Sequence, residues 1–290
     1  MKILVLGGTK FVGRHFVETA LAAGHEVTIV NRGQTNADLF PSLPKIHVDR
    51  LDEAAMQGAF DSSWDAVADM NGYVPRAIQI AMDALTGKAH HYLFVSTISV
   101  YDPLGQTTLD VNSPKLPVPP PEVETIDADT YGGLKVGCEN KLDAWMGDVT
   151  IVRPGMVIGP YDHTDRFHHW VRKIATFPDV LVPERSSQPV QFIDGRDLAQ
   201  FMLSKLESRE TGAFNGVGPA KPMMLGDMLE EIVRAGSSPC QLIQTPADQL
   251  EKAPFMLPKD GSMDAMFRVS APGVTLRPLA DTISDVLLEI

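Results

Sequence analysis

The sequence predicts an α/β fold: a doubly wound parallel sheet with a smaller C-terminal lobe. Three observations predict it. The chain opens with a short apolar run, a glycine cluster and a helical stretch. Strand-like and helix-like segments then alternate. The last third turns to proline, methionine and short helical stretches. Alternation of this kind marks a parallel sheet with helices on both faces.

Each element has its own signal. Lys2-Ile3-Leu4-Val5-Leu6 is a continuous apolar run, as expected of a strand buried on both sides. Gly7-Gly8-Thr9-Lys10-Phe11-Val12-Gly13 follows, then a helix over Arg14 to Ala23 closed by Gly24, and a second strand over Glu26 to Val30. Glycine lets backbone approach a pyrophosphate, and a helix N-terminus offers N–H donors and a partial positive charge. This opening is therefore a nucleotide-binding unit of Rossmann type, and Gly7, Thr9, Lys10, Phe11, Val12 and Gly13 are candidate cofactor contacts.

The third strand is expected at Lys45 to Val48, closed by Asp49-Arg50, which are expected to flank an adenine. The fourth is Ala66 to Ala68, and a helix follows Pro75 from Arg76 to Leu85. His91 to Ser96 is the fifth strand, Tyr131 to Trp145 a helix and Val149 to Arg153 the sixth strand. Gln191 to Ile193 and Gly212 to Asn215 read as further strands around a helix at Asp197 to Leu206. Ser113 to Pro121 is too proline-rich for regular structure and reads as a lid over a site. The expected division is a dinucleotide-binding core over 1–155, to which 191–215 returns, with a substrate-binding lobe from 156–190 and 216–290.

Composition narrows the function. A chain of 290 residues, 44% hydrophobic and 21% charged, can bury a large core. No membrane span and no signal peptide are expected. Two cysteines, Cys138 and Cys240, read as reduced thiols of a cytoplasmic protein. A net charge of −12 argues against nucleic-acid and anionic-membrane partners. The expected partner is a small-molecule substrate, and the expected state a monomer or homodimer. Asp162, His163, Asp165, His168 and His169 cluster without the spacing of a zinc site, so no metal is expected.

After the second strand an acid usually meets the ribose hydroxyls of NAD. Here Asn31-Arg32 stands instead. A guanidinium fork attracts a 2′-phosphate that an acid would repel. Lys10 occupies the middle glycine position of the usual spacing and adds a cation. NADP is thus the expected cofactor, ahead of NAD.

The fifth strand ends in Ser96-Thr97-Ile98-Ser99-Val100-Tyr101. Parallel sheets bind ligands at their carboxyl ends, so Thr97 is expected to face the cleft. Tyr131 and Lys135 are spaced i, i+4 and share a helix face. An ammonium beside a phenol lowers the phenol's pKa toward the working pH. Tyr131 is then the expected general acid/base at a carbonyl or alcohol oxygen, with Thr97 bonding that oxygen and Lys135 also reaching the nicotinamide ribose.

These residues resemble the extended short-chain dehydrogenase/reductases, the NAD-dependent epimerase/dehydratase family, over nearly the whole length. Gly7 to Gly13 matches the glycine motif except at Lys10. Ser96 to Tyr101 resembles the segment that carries the active-site hydroxyl, and Tyr131 and Lys135 match the catalytic pair. Arg153-Pro154-Gly155 resembles the segment lining the nicotinamide pocket, which implies Pro154 as a cofactor contact. Phe192 to Ala199 resembles a late strand-to-helix signature. Asp69-Met70-Asn71-Gly72-Tyr73 departs from the family's pattern, but its position still implies Met70 and Asn71 beside the adenosine ribose. The Asp-Glu pair that follows the active-site threonine in sugar-nucleotide dehydratases is missing, which disfavours dehydration. The resemblance implies a nicotinamide-dependent oxidoreductase acting on a sugar-like or secondary-metabolite substrate. The alternatives are a sugar-nucleotide epimerase, and a non-catalytic nucleotide-sensing regulator or RNA-associated protein on the same fold.

Overall fold

The computed structural model describes residues 1–184, 186–237, 239–246, 249–250 and 261–290. Parts of the expected substrate lobe, at 185, 238, 247–248 and 251–260, therefore lie outside the described residues. The strands are β1 Lys2–Leu6, β2 Glu26–Asn31, β3 Lys45–His47, β4 Trp64–Asp69, β5 Ala89–Val95, β6 Asp148–Pro154, β7 Met156–Ile158, β8 Asp179–Pro183, β9 Pro189–Val190, β10 Phe192–Asp194, β11 Gly212–Gly216, β12 Met223–Met224 and β13 Gln241–Thr245. The helices are α1 Phe11–Ala22, α2 Glu53–Gly58, α3 Pro75–Leu85, α4 Tyr131–Leu142, α5 Arg166–Thr176, α6 Gly195–Glu207, α7 Leu225–Ala235 and α8 Leu279–Leu287.

Seven parallel strands form the central sheet in the order β11-β6-β5-β4-β1-β2-β3. The apolar run of β1 serves both faces by its period of two. Ile3 and Val5 join the layer of Phe16, Val17 and Ala20 from α1 and Leu198 and Met202 from α6. Leu4 and Leu6 join Ile78, Ala81 and Leu85 of α3 and Cys138 and Leu142 of α4 on the other side. The doubly wound α/β class is as expected.

Away from the main sheet, a separate apolar cluster gathers Phe167, Trp170 and Ile174 of α5, Leu225, Met228 and Leu229 of α7 and Ile283 and Val286 of α8. Two parallel strand pairs, β7 with β10 and β8 with β13, accompany it. The strand expected at Gln191 to Ile193 is β10, and it pairs with β7 outside the central sheet. The stretch around His168 and His169 belongs to the helix α5, whose Phe167, Trp170, Val171 and Ile174 recur at helical spacing and are buried.

The proline-rich segment is not a lid. Leu116 N donates to Val100 O at 2.8 Å and Asp102 N to Pro114 O at 2.9 Å. The segment then lies across the glycine face of α4, where a Cβ on Gly133 would sit 2.5 Å from Pro117 O and one on Gly137 3.1 Å from Val118. Prolines, which need no backbone donor, suit this close approach to a helix stripped of side chains. Glu124 and Ile126, just beyond it, are what reach the cleft.

Candidate active site

A cleft of about 960 Å³ opens across the carboxyl ends of the central strands, from the glycine turn to α5. Gly7 and Gly8 adopt φ of +109° and +92°, which favour glycine. A Cβ on Gly13 would lie 2.8 Å from Gly8 N. The loop is thus drawn against α1, and a side chain there would fill the cradle. Helix α1 begins at Phe11, three residues earlier than expected, because Lys10 is extended and starts the turn with no side-chain cap. The first N–H groups of α1 therefore remain available for a phosphate. Gly7, Thr9, Lys10, Phe11, Val12 and Gly13 all line the cleft, and this cradle fits a dinucleotide pyrophosphate.

Asn31, Arg32, Asp49 and Arg50 line the far end. Asn31 Oδ1 accepts from Gly33 N at 2.8 Å and shapes the turn. Arg32 is 61% exposed and only 4.0 Å from Asp49, a loose pair that leaves the guanidinium accessible. Arg50 behaves otherwise than expected. Its two terminal nitrogens clasp both oxygens of buried Asp69 at 2.7 Å and reach Asn71 Oδ1 at 2.5 Å. Tyr92 donates to the same carboxylate at 2.7 Å. The Arg50 charge and these hydrogen bonds hold the Asp69 carboxyl below its usual range despite full burial. Arg50 is wall and support here, with its charge turned to Asp69 rather than outward to an adenine. Met70, Asn71 and Pro154 also line the cleft.

Thr97, Tyr131 and Lys135 meet at the other end. Thr97 is 7% exposed, and its Oγ1 accepts from Ser99 N at 3.1 Å. Tyr131 opens α4, and its ring lies 6.5 Å from that of Tyr73. Lys135 is buried, and its Nζ donates to the carbonyls of Gly72 and Val95 at 2.7 Å each. Burial brings the ammonium down to about 8. Burial pushes the Tyr131 phenol above its ordinary value, while the Thr97 hydroxyl and the charge of Arg166 pull the other way. The expectation that Lys135 lowers the Tyr131 pKa is corrected: the amine's hydrogen bonds go to backbone oxygens, and desolvation governs the phenol.

Behind these residues Arg153 grips Glu139 at 2.8 and 2.7 Å, Ser96 donates to Glu139 at 2.6 Å, and Tyr101 donates to Asn215 at 2.6 Å. Glu139 stands i+4 from Lys135, yet its partner is Arg153 of β6, which no local spacing signals. Tyr73, Ser99, Met156, His163, Arg166 and Phe267 also line the cleft, though none was a candidate site residue from the sequence. Among the described residues no group of acids, histidines and cysteines is arranged to hold a metal. Cys138 and Cys240 are free thiols, and burial pushes Cys138 up to about 12.

A glycine cradle at the carboxyl edge of a parallel sheet, with a Thr-Tyr-Lys set at its far end, defines a nucleotide-binding α/β protein of short-chain dehydrogenase/reductase type. Residues 3–216 match the NAD dependent epimerase/dehydratase family, and the chain belongs to it. The fold is shared with solved structures of low identity. A candidate epimerase of Burkholderia cenocepacia J2315 aligns over 99% of this chain and 97% of its own, at 21% identity and a TM-score of 0.77. The UDP-N-acetylglucosamine 4-epimerase of Bacillus cereus covers 100% and 96%, at 16% and 0.73. The UDP-glucose 4-epimerase of Thermus thermophilus, solved with NAD, covers all of both chains at 18% and 0.69. A curated relative, the chloroplast stem-loop binding protein of 41 kDa b of Arabidopsis thaliana, is 24% identical over 254 residues. The match takes in 82% of this chain, which spans 64% of that relative's length. Among the described residues no helix is long and apolar enough to cross a membrane.

Proposed function

We propose that the protein is an NADP-dependent reductase or dehydrogenase acting at a carbonyl or secondary alcohol of a sugar-like or secondary-metabolite substrate. The observation that carries this reading is the convergence of Thr97, Tyr131 and Lys135 at one end of a cleft whose other end holds the glycine turn and Arg32. The nicotinamide, when bound, supplies or accepts the hydride. Tyr131 gives or takes the proton at the substrate oxygen, and Thr97 hydrogen-bonds that same oxygen. Lys135, fixed by Gly72 and Val95, has a third donor left for a ribose hydroxyl. The Gly7–Gly13 turn and the N-terminus of α1 cradle the pyrophosphate, and Arg32 meets the 2′-phosphate. In this reading 1–155 and 191–215 form the dinucleotide-binding core, and 156–190 with 216–290 the substrate lobe. A cytoplasmic monomer or homodimer without nucleic-acid or membrane partner accords with the net charge of −12.

A second reading, sugar-nucleotide epimerase, is favoured by the activities named for the solved neighbours. It requires a cofactor retained through oxidation and re-reduction. The stem-loop binding named for the curated relative sits poorly with an acidic chain. Purified protein mixed with NADPH and a panel of carbonyls and sugar nucleotides separates the three. Net loss of nicotinamide absorbance supports the reductase. Epimer interconversion without cofactor loss contradicts it, as does binding of a stem-loop RNA with no cofactor turnover.

A further inference from the structure

The substrate end of the cleft carries a cation with free donors. Arg166 opens α5 and lines the cleft. Its Nε donates to Thr164 Oγ1 at 3.0 Å, and that hydroxyl donates to Oδ1 of buried Asp162 at 2.6 Å. The neighbouring Asp165 holds a left-handed φ of +57° and spends its carboxylate on Arg172 at 2.6 and 2.7 Å. These bonds steady one edge of the Arg166 guanidinium. Its two terminal nitrogens have no protein partner among the described residues, and no carboxylate among them lies within ion-pair range.

The rest of the pocket sharpens the point. Glu124, on the cleft wall, is already neutralised by Arg76 through two bonds of 2.7 Å. Lys10 faces the same space from the glycine turn, also without an acid within ion-pair range among the described residues. His163 lies near both cations, and its pKa falls through burial and then through Lys10 and, less, Arg166. Met156, Met266 and Phe267 supply apolar surface. A protein of net charge −12 thus presents two cations in this cleft, with apolar surface beside them. The field of Arg166 also reaches Tyr131.

We propose that Arg166 anchors an oxyanion, carboxylate or phosphate, on a substrate whose apolar body lies against Met156, Met266 and Phe267. A guanidinium fork with both terminal nitrogens free suits two parallel bonds to such a group. The proposal rests on the reading of Tyr131 as the acid/base, since it names a second contact on the same substrate.

Calorimetric titration of the full-length protein, with and without NADPH, tests it. The probes are benzoate, phenyl phosphate and the neutral benzamide. The wild type is expected to bind at least one anion roughly tenfold or more tighter than benzamide, the worth of charge-assisted hydrogen bonds. The relative affinity of the two anions tells carboxylate from phosphate. Arg166→Leu should erase the preference, and Arg166→Lys, which keeps charge without the fork, should keep part of it. A wild type that does not prefer either anion, or an Arg166→Leu protein that keeps the preference, overturns the proposal. So does an Arg166→Leu protein whose NADPH affinity falls as far as its anion affinity, for the residue then serves the cofactor. If Arg166→Leu fails to fold, Arg166→Gln takes its place under the same criteria. Anion preference without nicotinamide turnover on any carbonyl would count against the reductase while leaving Arg166 in its role.

Discussion

Lys135 and Tyr131 stand one turn apart on α4, and the Lys135 ammonium donates to the carbonyls of Gly72 and Val95 at 2.7 Å each. Both side chains are pushed toward their neutral forms, the lysine down to about 8 and the phenol above its ordinary value. A neutral phenol is the form that donates a proton to a carbonyl, as the proposed reduction requires. The tyrosinate absorbance of wild type minus that of Tyr131→Phe should stay at zero up to about pH 10. A difference signal rising near pH 7 would show that the ammonium does govern the phenol.

Lys135 should also leave a mark on stability. Its folded pKa of about 8 lies below the unfolded value of 10.5. Between these the unfolded chain binds more protons, so stability rises with pH across the window. The group contributes about 3 kcal/mol over that span, at roughly 1.4 kcal/mol per pKa unit. Denaturant unfolding of wild type and Lys135→Met at pH 8 and pH 10.5 compares the two slopes. The rise should be smaller in the variant by about that amount, and equal slopes would contradict the assignment.

Arg32, loosely placed 4.0 Å from Asp49, is free to turn to a 2′-phosphate. Arg32→Ala should narrow the preference for NADPH over NADH by about ten- to a hundredfold, the worth of one or two charge-assisted bonds. Fluorescence titration with both cofactors reads this. Equal affinities in the wild type would contradict the expected preference for NADPH.

Gly133 lets the proline-rich segment lie on α4. A Cβ there would sit 2.5 Å from Pro117 O. Gly133→Ala should destabilise the protein by about 1–3 kcal/mol and, by shifting the helix that starts at Tyr131, lower turnover. Gly58→Ala, where a Cβ meets nothing within 4 Å, should change stability by no more than about 1 kcal/mol. Thermal unfolding of both compares them, and a Gly133→Ala protein as stable as wild type would contradict the packing.

The central sheet was legible because its strands are short apolar runs next to glycine, a local signal. The candidate site was legible where one motif carries a backbone demand, as at Gly7 to Gly13, or a helical spacing, as at Tyr131 and Lys135. Other features depend on pairs distant in sequence. Arg50 meets Asp69 through the sheet, and nothing near position 50 signals that its charge is already taken. The covering of α4 depends on Gly132 meeting Leu116, Gly133 meeting Pro117 and Pro119, and Gly137 meeting Val118. Polar histidines and aspartates around Arg166 masked the apolar spacing of Phe167, Trp170, Val171 and Ile174 that makes α5 a helix.

The most direct measurement follows nicotinamide absorbance with NADPH and a carbonyl substrate, in wild type and Tyr131→Phe. The phenylalanine keeps the ring and removes the acid. Turnover is expected to fall by roughly a hundredfold or more while NADPH affinity stays the same. A Tyr131→Phe protein with full activity would contradict the assignment of Tyr131 as the proton donor.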